Sequence, residues 1–304
     1  MYYSEYLKTL KQFSRRVFGK INRNITTSFP VMNYGTYLRT ISIDYHIEQF
    51  LLKCSKLNEK AQIINLGCGS DLRMINLLNY NYKDQIAKFI DVDFDESIKL
   101  KDEIISNNES LKISLDASIS TNKYHIAPSD LKDAGKTISM LTNVTNAKLP
   151  TLIITECVLC YMSQQDSQNL IDSIMNLYES GTWISYDPIG GGDDDMSDQK
   201  NKSHGNDRFG IIMQSNLRES RNLEMPTLMT FNSKEKYSQR WNKSVIDNKV
   251  DIKINDMWEI LNHNVSTAEK KRLRDLQFLD ELEELKVMQT HYILLSAEWK
   301  HAIK

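Results

Sequence analysis

The sequence predicts a doubly wound α/β fold, a mostly parallel sheet with helices on both faces. Three observations predict it. Short apolar segments recur at 62–66, 88–93, 151–155 and 182–186. Stretches of helical periodicity separate them. The first segment runs into Gly67-Cys68-Gly69, a glycine turn that opens onto a helix. Strands covered on both faces read as nearly unbroken apolar runs, and parallel neighbours need a helical crossover.

The elements follow in order. Basic residues gather near the start: Lys8, Lys11, Arg15, Arg16, Lys20 and Arg23. Tyr6, Leu10, Phe13 and Val17 fall on one face, so this stretch reads as an amphipathic helix rather than a presequence. Ser28-Phe29-Pro30 and Tyr34-Gly35 read as a loop, and a helix follows from Ile41 to Leu52. Strand 62–66 leads through the glycine turn to a helix carrying Leu72, Ile75, Leu77 and Leu78. Strand 88–93 precedes a helix from Glu96 to Asn107. A short strand at 124–127 precedes one from Ala134 to Thr142. Strand 151–155, a helix from Ser167 to Tyr178 and strand 182–186 make a further unit. His291 to Leu295 is one more strand, behind a long charged helix. Gly190 to Asn206 is rich in Gly, Asp and Ser and reads as a mobile loop. Residues 207–264 read as an insertion over the carboxyl edge of the sheet, where ligands bind in this fold class. We therefore expect a helical segment at 1–53 and an α/β domain at 54–304.

Composition limits the function classes. The 304 residues are 40% hydrophobic and 26% charged, with net charge −2, so nothing overall favours nucleic acid or a membrane surface. No apolar run reaches the roughly 18 residues that a spanning helix needs. Cys157 and Cys160 have CxxC spacing, but no second pair or histidine pair accompanies them. All four cysteines read as reduced thiols of a cytoplasmic protein.

The glycine turn is the first candidate site. The third glycine of a dinucleotide fingerprint would fall at Leu72, so the turn does not fit a pyrophosphate. S-adenosylmethionine has none, and Gly67-x-Gly69-x-Asp71 suits its amino-acid end better. The second strand ends in Asp91 and Asp93. A carboxylate about 20 residues past such glycines accepts hydrogen bonds from ribose hydroxyls, and Asp93 is preferred. Asp130 follows the third strand and is placed for an adenine amine, with Leu131 against the ring. Glu156 ends the fourth strand, near the methionine moiety. Each acid alone reads equally as solvation of a strand end. Together they occupy strand ends that converge on one crevice.

Several motifs in order resemble leucine carboxyl methyltransferases. They are Val31-Met32-Asn33-Tyr34-Gly35-Thr36-Tyr37-Leu38-Arg39-Thr40, Asn65-Leu66-Gly67-Cys68-Gly69-Ser70-Asp71, Thr155-Glu156-Cys157-Val158-Leu159-Cys160-Tyr161-Met162 and Asp207-Arg208-Phe209-Gly210. Asn216 to Pro226 and Leu279 to Leu285 resemble the budding-yeast branch. The resemblance covers essentially the whole chain. It implies binding of S-adenosyl-L-methionine through Arg39, Gly67, Asp93, Asp130, Leu131 and Glu156. It also implies a substrate, the C-terminal leucine of type 2A protein phosphatase catalytic subunits, in the cytoplasm and the nucleus. Against the family pattern the chain opens late, at the basic helix, and its 190–206 loop is longer and more acidic.

The implied reaction esterifies a carboxylate. A C-terminal carboxyl has a pKa near 3.5 and is ionised at neutral pH, so no general base, and no catalytic His or Cys, is expected. Arg39 is the candidate for fixing carboxylates, and Tyr161 for donating its hydroxyl to the substrate. Arg208 would serve the substrate tail or brace the insertion. Basic and aromatic residues of Lys234 to Trp241 would meet the phosphatase core. A monomer is expected, with no metal. Three other readings stand beside this one: a non-catalytic scaffold that binds the phosphatase, a small-molecule methyltransferase, and the related branch that makes the tRNA base wybutosine. The last carries a propeller for which this chain has no room.

Overall fold

The computed structural model describes residues 2–80, 82–191, 208–242, 250–280 and 282–301. The expected loop at 190–206 lies outside them, apart from Gly190 and Gly191.

Seven strands form one sheet in the order β3-β2-β1-β4-β5-β7-β6. Five are mutually parallel: β1 (Ala61–Leu66), β2 (Ile86–Asp93), β3 (Tyr124–Pro128), β4 (Thr151–Glu156) and β5 (Ser180–Pro188). The last strand, β7 (Tyr292–Lys300), lies antiparallel between β5 and β6 (Asp251–Asp256). Strand order reverses between β1 and β4. The chain leaves those two strands in opposite directions, which opens a crevice beyond their carboxyl ends.

The period of two in β1 divides its side chains between two cores. Ala61 and Ile63 join one cluster with Leu38, Ile43, Ile47 and Leu51, while Ile64 and Leu66 join the other with Leu170, Ile171 and Ile174. The first face is covered by α1 (Tyr2–Phe13), α3 (Pro30–Lys56), α4 (Arg73–Asn79), α5 (Asp95–Ser106), α6 (Glu109–Ser120) and α11 (Met257–His263). The second is covered by α7 (Ala134–Val144), α8 (Gln164–Leu177) and α10 (Lys234–Asn242).

Some local expectations change. The basic stretch is two helices, α1 and α2 (Arg15–Thr26), because the Ser14 hydroxyl accepts the Val17 N–H at 3.4 Å and starts a new helix. Tyr6 and Leu10 are buried as expected, but Phe13 is 43% exposed. Tyr34 and Gly35 are not loop but lie within α3, whose start is set by Pro30 in the first turn. A Cβ at Gly35 would come within 3.0 Å of Gln289 on α13 (Leu282–Thr290), so this glycine serves helix packing, not a turn. The charged helix before the last strand is two, α12 (Thr267–Leu276) and α13. The 207–264 region supplies α9 (Phe209–Arg221), α10, α11 and β6. The alternating exposure of β6 marks it as the sheet's edge strand, which its charged sequence had hidden.

Part of the expected contact surface on α10 is turned inward, while Lys234 and Lys236 stay partly exposed. Tyr237, Arg240 and Trp241 are 2%, 2% and 0% exposed. Trp241 packs edge-on against Trp183 at 6.0 Å, and the Arg240 guanidinium sits 4.5 Å from the Phe231 ring centre. Three aromatic rings hold this cation inside the fold, so it is not available to a partner.

A buried ion pair locks the first half of the sheet. Lys101 on α5 donates to Asp91 at 2.7 Å, and both side chains are 0% exposed. Burial opposes the charge on Lys101, but the neighbouring carboxylate overrides it and the ammonium pKa is raised. Asp91 also accepts from Tyr124 at 2.7 Å and from Asn65 at 3.1 Å.

Two outcomes are expected of unfolding measurements. Lys101→Met leaves Asp91 buried without its cation and costs about 3–5 kcal/mol, and adding Asp91→Asn recovers much of that loss. Gly181→Ala puts a Cβ within 2.5 Å of the Thr151 carbonyl oxygen and the Trp299 ring. Overpacking there costs about 1–3 kcal/mol in a denaturant titration.

Candidate active site

The crevice is built from the ends of β1 to β4. At the end of β1 the backbone turns through Gly67 at φ 69° and Gly69 at φ 48°, a region that side chains rarely adopt. Two N–H groups, of Gly67 and Cys68, donate to the Val92 carbonyl at 2.7 and 3.1 Å, pinning the turn to β2. A Cβ on Gly67 would meet Val158 Cγ2 at 2.5 Å, so both shape and φ require glycine there. A Cβ on Gly69 would meet nothing within 4 Å, so open space lies over the turn.

The two acids of β2 separate by burial. Asp91 is engaged beneath the turn, whereas Asp93 remains partly exposed at the strand end. The Gly69 N–H donates to Asp93 Oδ2 and the Phe94 N–H to Oδ1, both at 2.7 Å. Each carboxylate oxygen keeps capacity for a further donor, so Asp93 is held in orientation yet still able to accept from a ligand hydroxyl. Phe94 is 54% exposed beside it, an aromatic lip that the sequence reading did not single out.

From β3 the chain returns toward Asp93, where the Ser129 N–H donates to the Asp93 carbonyl at 2.8 Å. Asp130 then stands exposed, with Oδ1 accepting the Lys132 N–H at 3.0 Å. Leu131 is 8% exposed and packs into the second core, so it offers the crevice an apolar floor rather than a projecting side chain.

Glu156 at the end of β4 is gripped by two arginines. Arg39, from the middle of α3, places Nε 2.7 Å from Oε1, and Arg73 places Nη2 2.8 Å from Oε2. The same Arg73 puts Nε 2.5 Å from Asp71, which is also held by Asn65 at 3.0 Å. Burial opposes the charge of both arginines, but Glu156 for Arg39, and Asp71 then Glu156 for Arg73, raise their pKa above the ordinary value. Both stay cationic. Arg39 also lies 5.7 Å from the Tyr186 ring centre, and Tyr186 stacks on Tyr292 at 5.5 Å. The sequence reading found Arg39 only through its motif and missed Arg73. The available signal was an arginine in the first turn of the helix that the glycine turn opens.

Beyond β4, Cys157 adopts φ 55° and its N–H donates to the Tyr186 carbonyl at 2.7 Å. Burial pushes its thiol up to about 12, so it is a neutral thiol at ordinary pH. Tyr161 closes a 3₁₀ turn, Leu159–Tyr161, and packs with Cys160, Met213, Leu217, Met225 and Leu228. Burial pushes its phenol up to about 12 as well, so it stays a hydrogen-bond donor. Tyr292 lies within electrostatic reach of both Arg39 and Tyr161. Arg208 is exposed at the start of α9. Among the described residues no group of three or more His, Cys, Asp or Glu is arranged to hold a metal ion.

A family model described as leucine carboxyl methyltransferase matches residues 5–175. Leucine carboxyl methyltransferase 1 of Eremothecium gossypii is 42% identical over 305 aligned residues, spanning 97% of this chain and 86% of its own. The protein of that name from Kluyveromyces lactis is 39% identical over the same shares, 97% and 86%. Among solved structures, a candidate methyltransferase from Thermobifida fusca superimposes with a TM-score of 0.50 at 9% identity, over 83% of this chain and 79% of that one. That last likeness concerns the fold alone. With its parallel sheet, its glycine turn and its matching residues, the chain belongs to the leucine carboxyl methyltransferase family.

Proposed function

We propose that this methyltransferase acts on the C-terminal leucine of type 2A protein phosphatase catalytic subunits. In this reading it takes a methyl group from S-adenosyl-L-methionine and forms a leucine methyl ester that regulates holoenzyme assembly. The observation that carries the reading is the arginine pair at Glu156. It sets two guanidinium groups, held against Glu156 and Asp71, where an amino-acid ligand and a substrate carboxylate would meet.

The residues fit that cofactor. The open space over Gly69 admits a ligand close to the backbone. Asp93 can accept from ribose hydroxyls, Asp130 from an adenine amine, and Leu131 floors the ring. Glu156 faces the amino-acid end, and Arg39 can take its carboxylate. When bound, S-adenosylmethionine supplies an electrophilic methyl carbon on a sulfonium.

What the chain's own groups contribute is orientation and dryness. The substrate carboxylate arrives ionised, so nothing must remove a proton from it. Its oxygen has to be held about 3 Å from the methyl carbon and in line with the sulfur. Arg39 and the Tyr161 hydroxyl are the groups for that task. Water must also leave, because a hydrated carboxylate is a weak nucleophile. Met213 and Leu217, partly exposed beside Tyr161 over the buried Cys160, Met225 and Leu228, are the apolar surface we assign to the leucine side chain. Cys157, neutral at working pH, has no nucleophilic part.

The test uses methyl-labelled S-adenosylmethionine and the phosphatase catalytic subunit with and without its terminal leucine. Base-labile label on the intact subunit alone is expected. A label-free subunit in the presence of bound cofactor would favour a scaffold role. The pH profile is a second check. Raised acids keep their protons below their pKa, so Tyr161 and Cys157, both near 12, do not titrate in the neutral range. The rate on the intact subunit should vary by no more than about twofold between roughly pH 6.5 and 8.5. A bell-shaped profile there would reveal an acid–base group that this mechanism lacks.

A further inference from the structure

The Glu156 cluster poses a problem for ligand binding. Arg39 is already paired with Glu156 at 2.7 Å. If Arg39 is to hold a ligand carboxylate, it must give up part of that contact. Glu156 is only 21% exposed at its side chain, so losing a cation there is costly. Besides Asp71, a third carboxylate, Asp44, lies within electrostatic reach of the cluster, and burial raises its pKa.

We infer that Arg73 is a positioning residue that frees Arg39 for a ligand carboxylate by keeping Glu156 neutralised. The inference rests on the cofactor reading above. The geometry supports it in three ways. Arg73 is more deeply placed than Arg39, with side chains 13% and 33% exposed. Its guanidinium is anchored twice, by Nε to Asp71 and by Nη2 to Glu156. Asp71 in turn is fixed by Asn65, and its Oδ1 accepts the Arg73 N–H at 2.9 Å. Among the described residues Arg39 has one acidic contact, to Glu156, and it lies over Tyr186, so it is the cation able to change partners. A planar fork that spans two carboxylates is a geometry that arginine has and lysine lacks.

Two ligands separate this role from a merely structural one. S-adenosylmethionine carries the amino-acid end, and 5′-methylthioadenosine lacks it while keeping the nucleoside. Calorimetric titration of Arg73→Gln is expected to show S-adenosylmethionine weakened by about tenfold or more and 5′-methylthioadenosine changed by less than about twofold. Arg73→Lys, which keeps a cation beside Glu156, should fall between Arg73→Gln and the unaltered chain. Equal weakening of both ligands would overturn the inference, since Arg73 would then be supporting the glycine turn itself. So would no weakening of either, or Arg73→Lys binding no better than Arg73→Gln. Failure of the unaltered chain to bind S-adenosylmethionine would instead overturn the cofactor reading, and this inference with it.

Discussion

Everything at the crevice stands on the buried contact between Lys101 and Asp91. Lys101 donates both to that carboxylate and to the Asp71 carbonyl, each at 2.7 Å. Asn65 ties Asp91 to Asp71 from β1, and Tyr124 reaches Asp91 from β3. Three strands, α5 and the far end of the glycine turn therefore meet in one dry polar hub. A buried charge pair contributes little net stability unless it is fully satisfied, and here several donors surround one carboxylate. The consequence is geometric. The turn above cannot shift without breaking contacts that water cannot replace.

On that foundation the site divides into a rigid side and an adjustable one. Asp93 is fixed by two backbone N–H groups and the turn by the Val92 carbonyl. Arg39, in contrast, comes from the long helix α3 and, among the described residues, meets one acid, Glu156. Backbone elements thus set where a nucleoside would lie. Side chains from α3 and α4 set how charge is shared when an amino-acid ligand arrives. A carboxylate acceptor that is already ionised asks for nothing more than this sharing, together with exclusion of water.

The later part of the chain shows how charge can be turned inward without conflict. Arg240 is buried among Phe231, Tyr237 and Trp241. Tyr237 donates to Asp187 at 2.6 Å, and burial raises the Asp187 pKa. This network joins α10 to β5 under the region that follows the sheet. It packs the buried face of α10 into the domain.

The sequence by itself determined the parallel part of the sheet and the glycine turn, because nearly unbroken apolar runs and a Gly-x-Gly after a strand are local signals. It also placed acids at the three strand ends that converge with the glycine turn, since strand ends are legible from where apolar runs stop. Asp93 could be preferred to Asp91, but only burial shows why: one carboxylate has a lysine under it and the other has open space. Arg73, the split at Ser14 and the edge strand β6 were not legible. Each depends on a partner far along the chain or on a single cap. The inward turn of Arg240 was hidden for the same reason, as a basic and aromatic stretch reads alike on a surface and in a core. Tertiary structure decided which charges meet, because electrostatic partnership is set by distance in space and by exclusion of water. Neither is written in the order of residues.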